Sequence, residues 1–367
     1  MYALPGKALC INATRLGDSV CMLPELRFLA EKHGQPVDIL TKKSSLAELY
    51  NGIDYIGQVL PIQHWGFWPW LLLRMSSLQK RVKYDHIYII DVQHARKFFK
   101  VFSFFKNENL PQQIRLEFPK EVKQSRKHPH LMASFALGSS VLMVNEQERE
   151  EVRRSLSGTH GWGGEPLVLF HPGCAYLVKG KEKGEITKNN SKQWPVENWR
   201  KTLLELRTLV PDAMFIITGT ANERMLIGEI IAGMTGKIAS LAGSLSLRHL
   251  LALQSMAHSC ISIDTGPAHT AMAVGCPTVI LYGYHDPRYL GRCSPKGWGP
   301  GITIRGFRNR DELGSKGYMD PIKNIQPETV IRLWQELPPR LSQPLSEHFI
   351  SHYCEGDMKP EVLPILF

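Results

Sequence analysis

Two kinds of apolar pattern alternate along this chain: short continuous runs that suit buried strands, and stripes at helical spacing. Ala8 to Ala13 is the first run, Arg15 to Ser19 a loop, and Val20 to Glu31 places Leu23, Leu26, Phe28 and Leu29 at helical spacing. Val37 to Leu40 then predicts a strand and Ser44 to Tyr50 a helix, the order of a parallel βαβ unit. His86 to Asp91 is a further strand candidate, while Phe98 to Val144 is poorly legible. Ser155 to Glu165, with Gly158, Gly161, Gly163 and Gly164, reads as a linker. Beyond it, strands at Leu167 to Phe170, Met214 to Thr218, Cys260 to Ile263 and Thr278 to Tyr282 alternate with helical patterns. Those patterns fall at Trp199 to Leu209, Glu223 to Met234, Leu247 to Ala257 and Ala268 to Val274.

An α/β chain of two doubly wound, Rossmann-like domains is the simplest account, and 367 residues are too many for one ordinary core. The expected division is an N-terminal domain over 1–155, a C-terminal domain over 166–338 and a proline-rich tail over 339–367. Packing of that tail back onto the N-terminal domain is one reading of it.

Composition narrows the class. A hydrophobic share of 43% with 21% charged residues excludes a disordered chain. The formal net charge of +10 favours an anionic partner, and it is concentrated: residues 74–127 hold 13 Lys and Arg against 5 Asp and Glu. A basic surface that only keeps the protein soluble is the competing explanation. The seven cysteines are scattered with no CxxC pair, so neither a zinc site nor a disulfide framework is expected and a reducing compartment fits. The first residues lack the pattern of a signal peptide, and no run reaches the roughly 18 apolar residues of a membrane span. Trp65, Phe67, Trp68 and Trp70 precede a basic cluster that includes Arg81 and Lys83, a pattern that suits either an interfacial contact or a buried segment.

Candidate chemistry gathers where strands meet helices. In Asp264-Thr265-Gly266-Pro267-Ala-His269 a helix start offers free N–H groups and a positive dipole end, suited to a diphosphate. Asp264, which phosphate would repel, is better matched to a sugar hydroxyl. The same residues also make an ordinary helix-start sequence. His171-Pro-Gly173 follows another strand, and Lys192-Gln-Trp194-Pro195 precedes a helix; Lys192 either neutralises a leaving phosphate or belongs to a solvated lysine-rich loop. In Gly219-Thr-Ala-Asn-Glu223-Arg224, again where a strand meets a helix, Glu223 is placed for a ribose hydroxyl pair or simply for a first helical turn. Asp18, in the first βα loop, is either a general base or a helix cap. GxGxxG, P-loop, HExxH and DxD signatures are absent from the sequence, and the histidines show no metal-ligand spacing.

In order along the chain, Gly17-Asp18, His171-Pro-Gly173, Lys192-x-Trp194-Pro195-x-Glu-x-Trp199, Gly219 with Glu223, Leu241-Ala-Gly243 and Asp264-Thr-Gly-Pro-x-His269 together resemble glycosyltransferase family 9. This is the family of the lipopolysaccharide heptosyltransferases, and the run from Asp264 to Gly283 is its most specific part here. The resemblance implies a GT-B fold, two Rossmann-like domains facing a central cleft. It also implies inverting, metal-independent transfer of heptose from ADP-heptose to a lipopolysaccharide core acceptor, with no cofactor beyond the nucleotide-sugar donor. It assigns Asp18 as catalytic base, Lys192, Thr265 and Gly266 to the pyrophosphate, Glu223 to the ribose, Asp264 to the donor sugar, and His269 to the same loop. Arg81 and Lys83 stand for the anionic glycolipid acceptor. The implied setting is cytoplasmic and peripheral at the inner membrane, with no nucleic-acid partner. Two alternatives stand beside it: a relative using another nucleotide sugar for another surface glycan, and a non-catalytic nucleotide-sugar-binding relative. Asn12 departs from the pattern, since relatives often carry a basic residue six positions before the aspartate, and so does Val92-Gln93-His94, where a Gln-Gly turn is usual.

Overall fold

The structure is a computed structural model that describes residues 6–12, 14–41, 44–61, 84–89, 115–117, 142–174, 192–283, 301–306, 321–337, 340 and 350–359. The chain forms two compact units, one running to Met143 and one from Val144 to Pro364. Arg81, Lys83, Val92-Gln93-His94 and the Trp65 to Met75 stretch lie outside the described residues.

The first unit holds a five-stranded parallel sheet of order β3-β2-β1-β4-β5, from β1 (Ala8–Asn12), β2 (Val37–Thr41), β3 (Ile56–Pro61), β4 (His86–Ile89) and β5 (Arg115–Glu117). All residues of β1 and β2 are buried, as central strands covered on both faces require. Between β1 and β2 run α1 (Leu16–Cys21) and α2 (Leu23–His33), and α3 (Ser44–Ala47) follows β2. Gly34 closes α2 in the left-handed region, φ 66°, where a side chain would be strained.

The second unit opens with α4 (Glu146–His160). It carries the chain through most of the stretch expected to be a linker, because local signals favour a helix there. Asn145 Oδ1 accepts from Glu148 N at 2.8 Å and Glu148 Oε2 accepts from Asn145 N at 3.0 Å, a complete capping box. Gly161 is not a hinge glycine but the left-handed C-cap, φ 67°. Val152 and Leu156 bury one face of the helix, and Arg248 grips Glu148 with two bonds of 2.7 Å. The helix therefore belongs to the second unit.

Seven parallel strands follow: β6 (Leu167–His171), β7 (Met214–Ile217), β8 (Ile238–Ser240), β9 (Ser259–Ile263), β10 (Thr278–Tyr282), β11 (Gly301–Arg305) and β12 (Ile350–Cys354), in the order β12-β11-β10-β9-β6-β7-β8. Helices α5 (Val196–Leu209), α6 (Arg224–Ile231), α7 (Leu247–Met256), α8 (Gly266–Ala273) and α9 (Pro327–Gln335) connect or flank them. The segment after 338 contributes to this unit, since β12 pairs with β11 from Gly301↔Ile350 to Arg305↔Cys354. Strand order reverses between β6 and β9, and this switch point is where doubly wound sheets open a crevice for ligands.

Among the described residues no helix is long and apolar enough to cross a membrane. Cys10, Cys174, Cys260 and Cys276 are buried thiols, but Cys21 is disulfide-bonded. No disulfide framework is expected from the sequence, and the bond at Cys21 could not be foretold from it, because spacing in sequence carries no information about distance in the fold.

Candidate functional site

At the switch point, β6 delivers His171 and Gly173, and β9 delivers Asp264 and the start of α8. The strands are in register there, His171 opposite Ser262, so the two loops leave the sheet side by side. Asp264 is buried, 3% exposed, and its amide donates to Leu281 O at 3.0 Å, which fixes the turn to the neighbouring strand.

Lys192 Nζ lies 2.6 Å from Asp264 Oδ2 and 3.0 Å from Asp264 O, and His269 Nε2 lies 3.4 Å from Oδ1. Burial of Asp264 opposes its ionisation, but the His269 hydrogen bond and the Lys192 charge outweigh it and hold the carboxyl well below the usual carboxylate range. The Lys192 side chain is 16% exposed, so it is no solvated loop lysine. Two residues on, Trp194 is fully buried, donates from Nε1 to Ile325 O at 2.9 Å and meets Trp199 edge to face at 4.9 Å. That anchor explains the Lys-x-Trp-Pro spacing: the indole is fixed in the core and the ammonium is carried to the mouth of the crevice.

The accessible face of the turn is Thr265 to Pro267, with Asp264 and His269 buried behind it. Ala268 and His269 spend their N–H groups on Thr265 O, at 3.1 and 3.4 Å, and Pro267 has none to give. Among the described residues this leaves the N–H groups of Thr265 and Gly266 unclaimed at the positive end of α8. An anion seated there gains two donors, a helix dipole and a nearby ammonium.

Glu223 sits in the 3-10 turn Ala221–Glu223 between β7 and α6, 3% exposed, with Oε2 accepting from Thr220 N at 2.5 Å. A Cβ on Gly219 would lie 2.7 Å from Ile227 Cδ1 and 3.0 Å from Glu223 Oε2. Gly243 of the Leu-Ala-Gly motif is left-handed, φ 73°, and a Cβ there would lie 2.8 Å from Ala221 Cβ. His171 Nδ1 is 3.0 Å from Thr218 Oγ1, and burial lowers its pKa although the Glu223 charge pulls the other way. Lys192, Asp264, Thr265, Gly266 and His269 thus form one cluster, with Glu223 beside the adjoining β6 loop.

Asp18 belongs to the first unit. It lies in the first turn of α1 and is exposed, and the helix takes Arg15 as N-cap with no side-chain cap bond, so Asp18 is not the cap. Beneath this loop Asn12 is fully buried: its Nδ2 donates to Ser19 Oγ at 3.0 Å and to Tyr50 OH at 2.6 Å, and its Oδ1 accepts from Thr14 N at 3.0 Å. Burial pushes the Tyr50 hydroxyl up to about 12, so it remains a donor at neutral pH. An amide, which both donates and accepts, suits this neutral pocket.

Residues 184–323 match the family described as glycosyltransferase family 9 (heptosyltransferase), a span that contains Lys192, Glu223, Asp264, Thr265, Gly266 and His269 but not Asp18. Over 134 residues the chain is 31% identical to lipopolysaccharide heptosyltransferase 1 of Pseudomonas aeruginosa, and the match spans 36% of each chain. It therefore covers little more than a third of that relative. A solved glycosyltransferase family 9 structure from Veillonella parvula shares the fold with a TM-score of 0.69 at 15% identity, covering 90% of this chain and 96% of that one. The ADP-heptose lipopolysaccharide heptosyltransferase II of E. coli shares it with a TM-score of 0.63 at 18% identity, covering 90% and 98%. The chain thus has two Rossmann-like units of the GT-B class, and its resemblance to glycosyltransferase family 9, over residues 184–323, falls on the switch-point cluster.

Proposed function

We propose that this chain is an inverting, metal-independent glycosyltransferase that moves heptose from ADP-heptose to a lipopolysaccharide core acceptor. The observation that carries the reading is the turn at Thr265 and Gly266, whose two unclaimed N–H groups lie beside the Lys192 ammonium. Positive charge at that place does the work of stabilising a departing diphosphate. In the mechanism, an acceptor hydroxyl attacks the anomeric carbon from the face opposite the nucleotide while the Asp18 carboxylate takes its proton. The bond from the anomeric carbon to the diphosphate oxygen breaks through an oxocarbenium-like transition state, and ADP leaves with that electron pair. Lys192 exchanges the Asp264 carboxylate for phosphate oxygen as donor binds, which frees Asp264 for a sugar hydroxyl. Glu223 takes the ribose and His269 supports the loop.

Arg81 and Lys83, in the basic region, are proposed to hold the anionic, lipid-linked acceptor, which places the enzyme at the cytoplasmic surface of the inner membrane. Transfer assays with a panel of nucleotide sugars, with and without chelator, test the reading. ADP-heptose is expected to be the best donor with the rate unaffected by chelator. A rate abolished by chelation refutes the metal-independent mechanism, a better rate with another sugar refutes the donor, and binding without transfer favours the non-catalytic relative.

A further inference from the structure

The turn that presents Thr265 and Gly266 lacks the usual means of holding a helix start. Its N-cap, Thr265, makes no side-chain cap bond; its hydroxyl donates instead to Ile263 O at 3.3 Å. The Asp264 amide ties the turn to the neighbouring strand, and the neighbouring helix adds a second hold, on α8 itself. Gln254, on α7, is 1% exposed among Leu251, Ala252 and Leu253, a position where leucine would be the ordinary choice. A buried carboxamide is costly unless its groups are bonded, and both ends of this one are. Nε2 donates to Pro267 O at 2.8 Å, and Oε1 accepts from Thr270 Oγ1 at 2.9 Å. The reverse orientation would set two oxygens against each other at Pro267, so the amide has one way to sit.

From this geometry we infer that Gln254 is a positioning residue for the diphosphate seat. Its carboxamide bridges the first and second turns of α8, and thereby fixes the direction in which the N–H groups of Thr265 and Gly266 point. Arg340 completes the brace at the far ends of the same two helices. It donates to Gln254 O at 2.6 Å, to Ala257 O at 3.2 Å and to Val274 O at 3.3 Å, where helix carbonyls run out of partners. The short α8 is thus held at its start by Gln254 and at its end by Arg340, and neither residue touches the seat itself.

The inference rests on the diphosphate reading of that turn, so its test separates the phosphate end of the ligand from the rest. Calorimetry of the full chain with ADP and with adenosine should show ADP binding the wild type more tightly. Gln254→Leu should weaken ADP by about tenfold, the size of one buried hydrogen bond, and leave adenosine unchanged. Thr270→Val breaks the same bridge from the helix side with no change of shape, and decides the matter if Gln254→Leu does not fold; Thr270→Ser should restore ADP binding. Equal loss of ADP and adenosine, or an undiminished preference for ADP in both variants, would overturn the inference alone. A wild type that binds adenosine as tightly as ADP would overturn the diphosphate reading and the inference with it.

Discussion

Glu223 fills the space that a side chain on Gly173 would need: a Cβ there would lie 2.2 Å from both Glu223 Cδ and Oε1. The glycine of His171-Pro-Gly173 is therefore a matter of contact with a carboxylate from the turn after β7. Gly173→Ala should cost about 1–3 kcal/mol, as overpacking of an interior does. The same substitution in a Glu223→Ala background should cost almost nothing, since the colliding group is gone. Urea denaturation of the four proteins measures this cycle, and equal costs in both backgrounds would show that the contact is not the reason.

Asp18 is exposed and caps nothing, so Asp18→Asn separates chemistry from stability. The melting temperature should stay within a degree or two, a small fraction of the shift that a loss of 1 kcal/mol produces. Transfer should fall by about 10²- to 10⁴-fold with donor affinity intact. Transfer at the normal rate would remove Asp18 from the mechanism.

The Lys192–Asp264 pair should make itself felt in acid. Because the folded Asp264 carboxyl titrates well below its unfolded value of about 3.9, its stabilisation is complete above that pH and drains away as pH falls below it. Asp264→Asn should lose about 3 kcal/mol at pH 7, near the lower end for a broken buried pair because Lys192 keeps some contact with water. The gap between wild type and variant should narrow below about pH 4. A gap that is constant down to pH 3 would contradict the assignment.

Asn12 ties three partners together beneath the Asp18 loop, and Asn12→Ala removes its bonds to Ser19, Tyr50 and Thr14 at once. The expected loss is about 1–3 kcal/mol of stability, read as a lower urea midpoint. Donor affinity should be untouched, because the donor cluster belongs to the other unit. A weaker donor affinity in this variant would show that the two halves are not independent in that respect.

Most of the second unit was legible because its central strands are unbroken apolar runs, such as Leu167 to Phe170 and Thr278 to Tyr282, and these are the strands buried on both faces. The strands of the second sheet that are hard to read lie toward its edges. Ile238–Ser240 has only three residues, too few to show alternation, and Ile350–Cys354 mixes Ser and His into its run. Glycines at Ser155 to Glu165 suggest a linker, whereas the Asn145-x-x-Glu148 capping box upstream is the stronger local signal. The site motifs could be found because they follow a strand end or, at Lys192-x-Trp194-Pro195, precede a helix. What could not be read was who pairs with whom: that Lys192 and Asp264 hold each other, or that a glutamine in an apolar helix face reaches Pro267 and Thr270.

The last strand of the second sheet, β12, is the parallel neighbour of β11 and joins it some forty-five residues later in the chain. Until Cys354 has cleared the ribosome, β11 is an open edge whose N–H and C=O groups on the side away from β10 face no partner, a template that another nascent chain can occupy. Parallel pairings across such a distance form slowly, which lengthens the exposure. The hazard during synthesis thus lies between β11 and β12: a chain stalled or cut before Ile350 keeps the switch-point residues in sequence yet carries an adhesive margin into the cell.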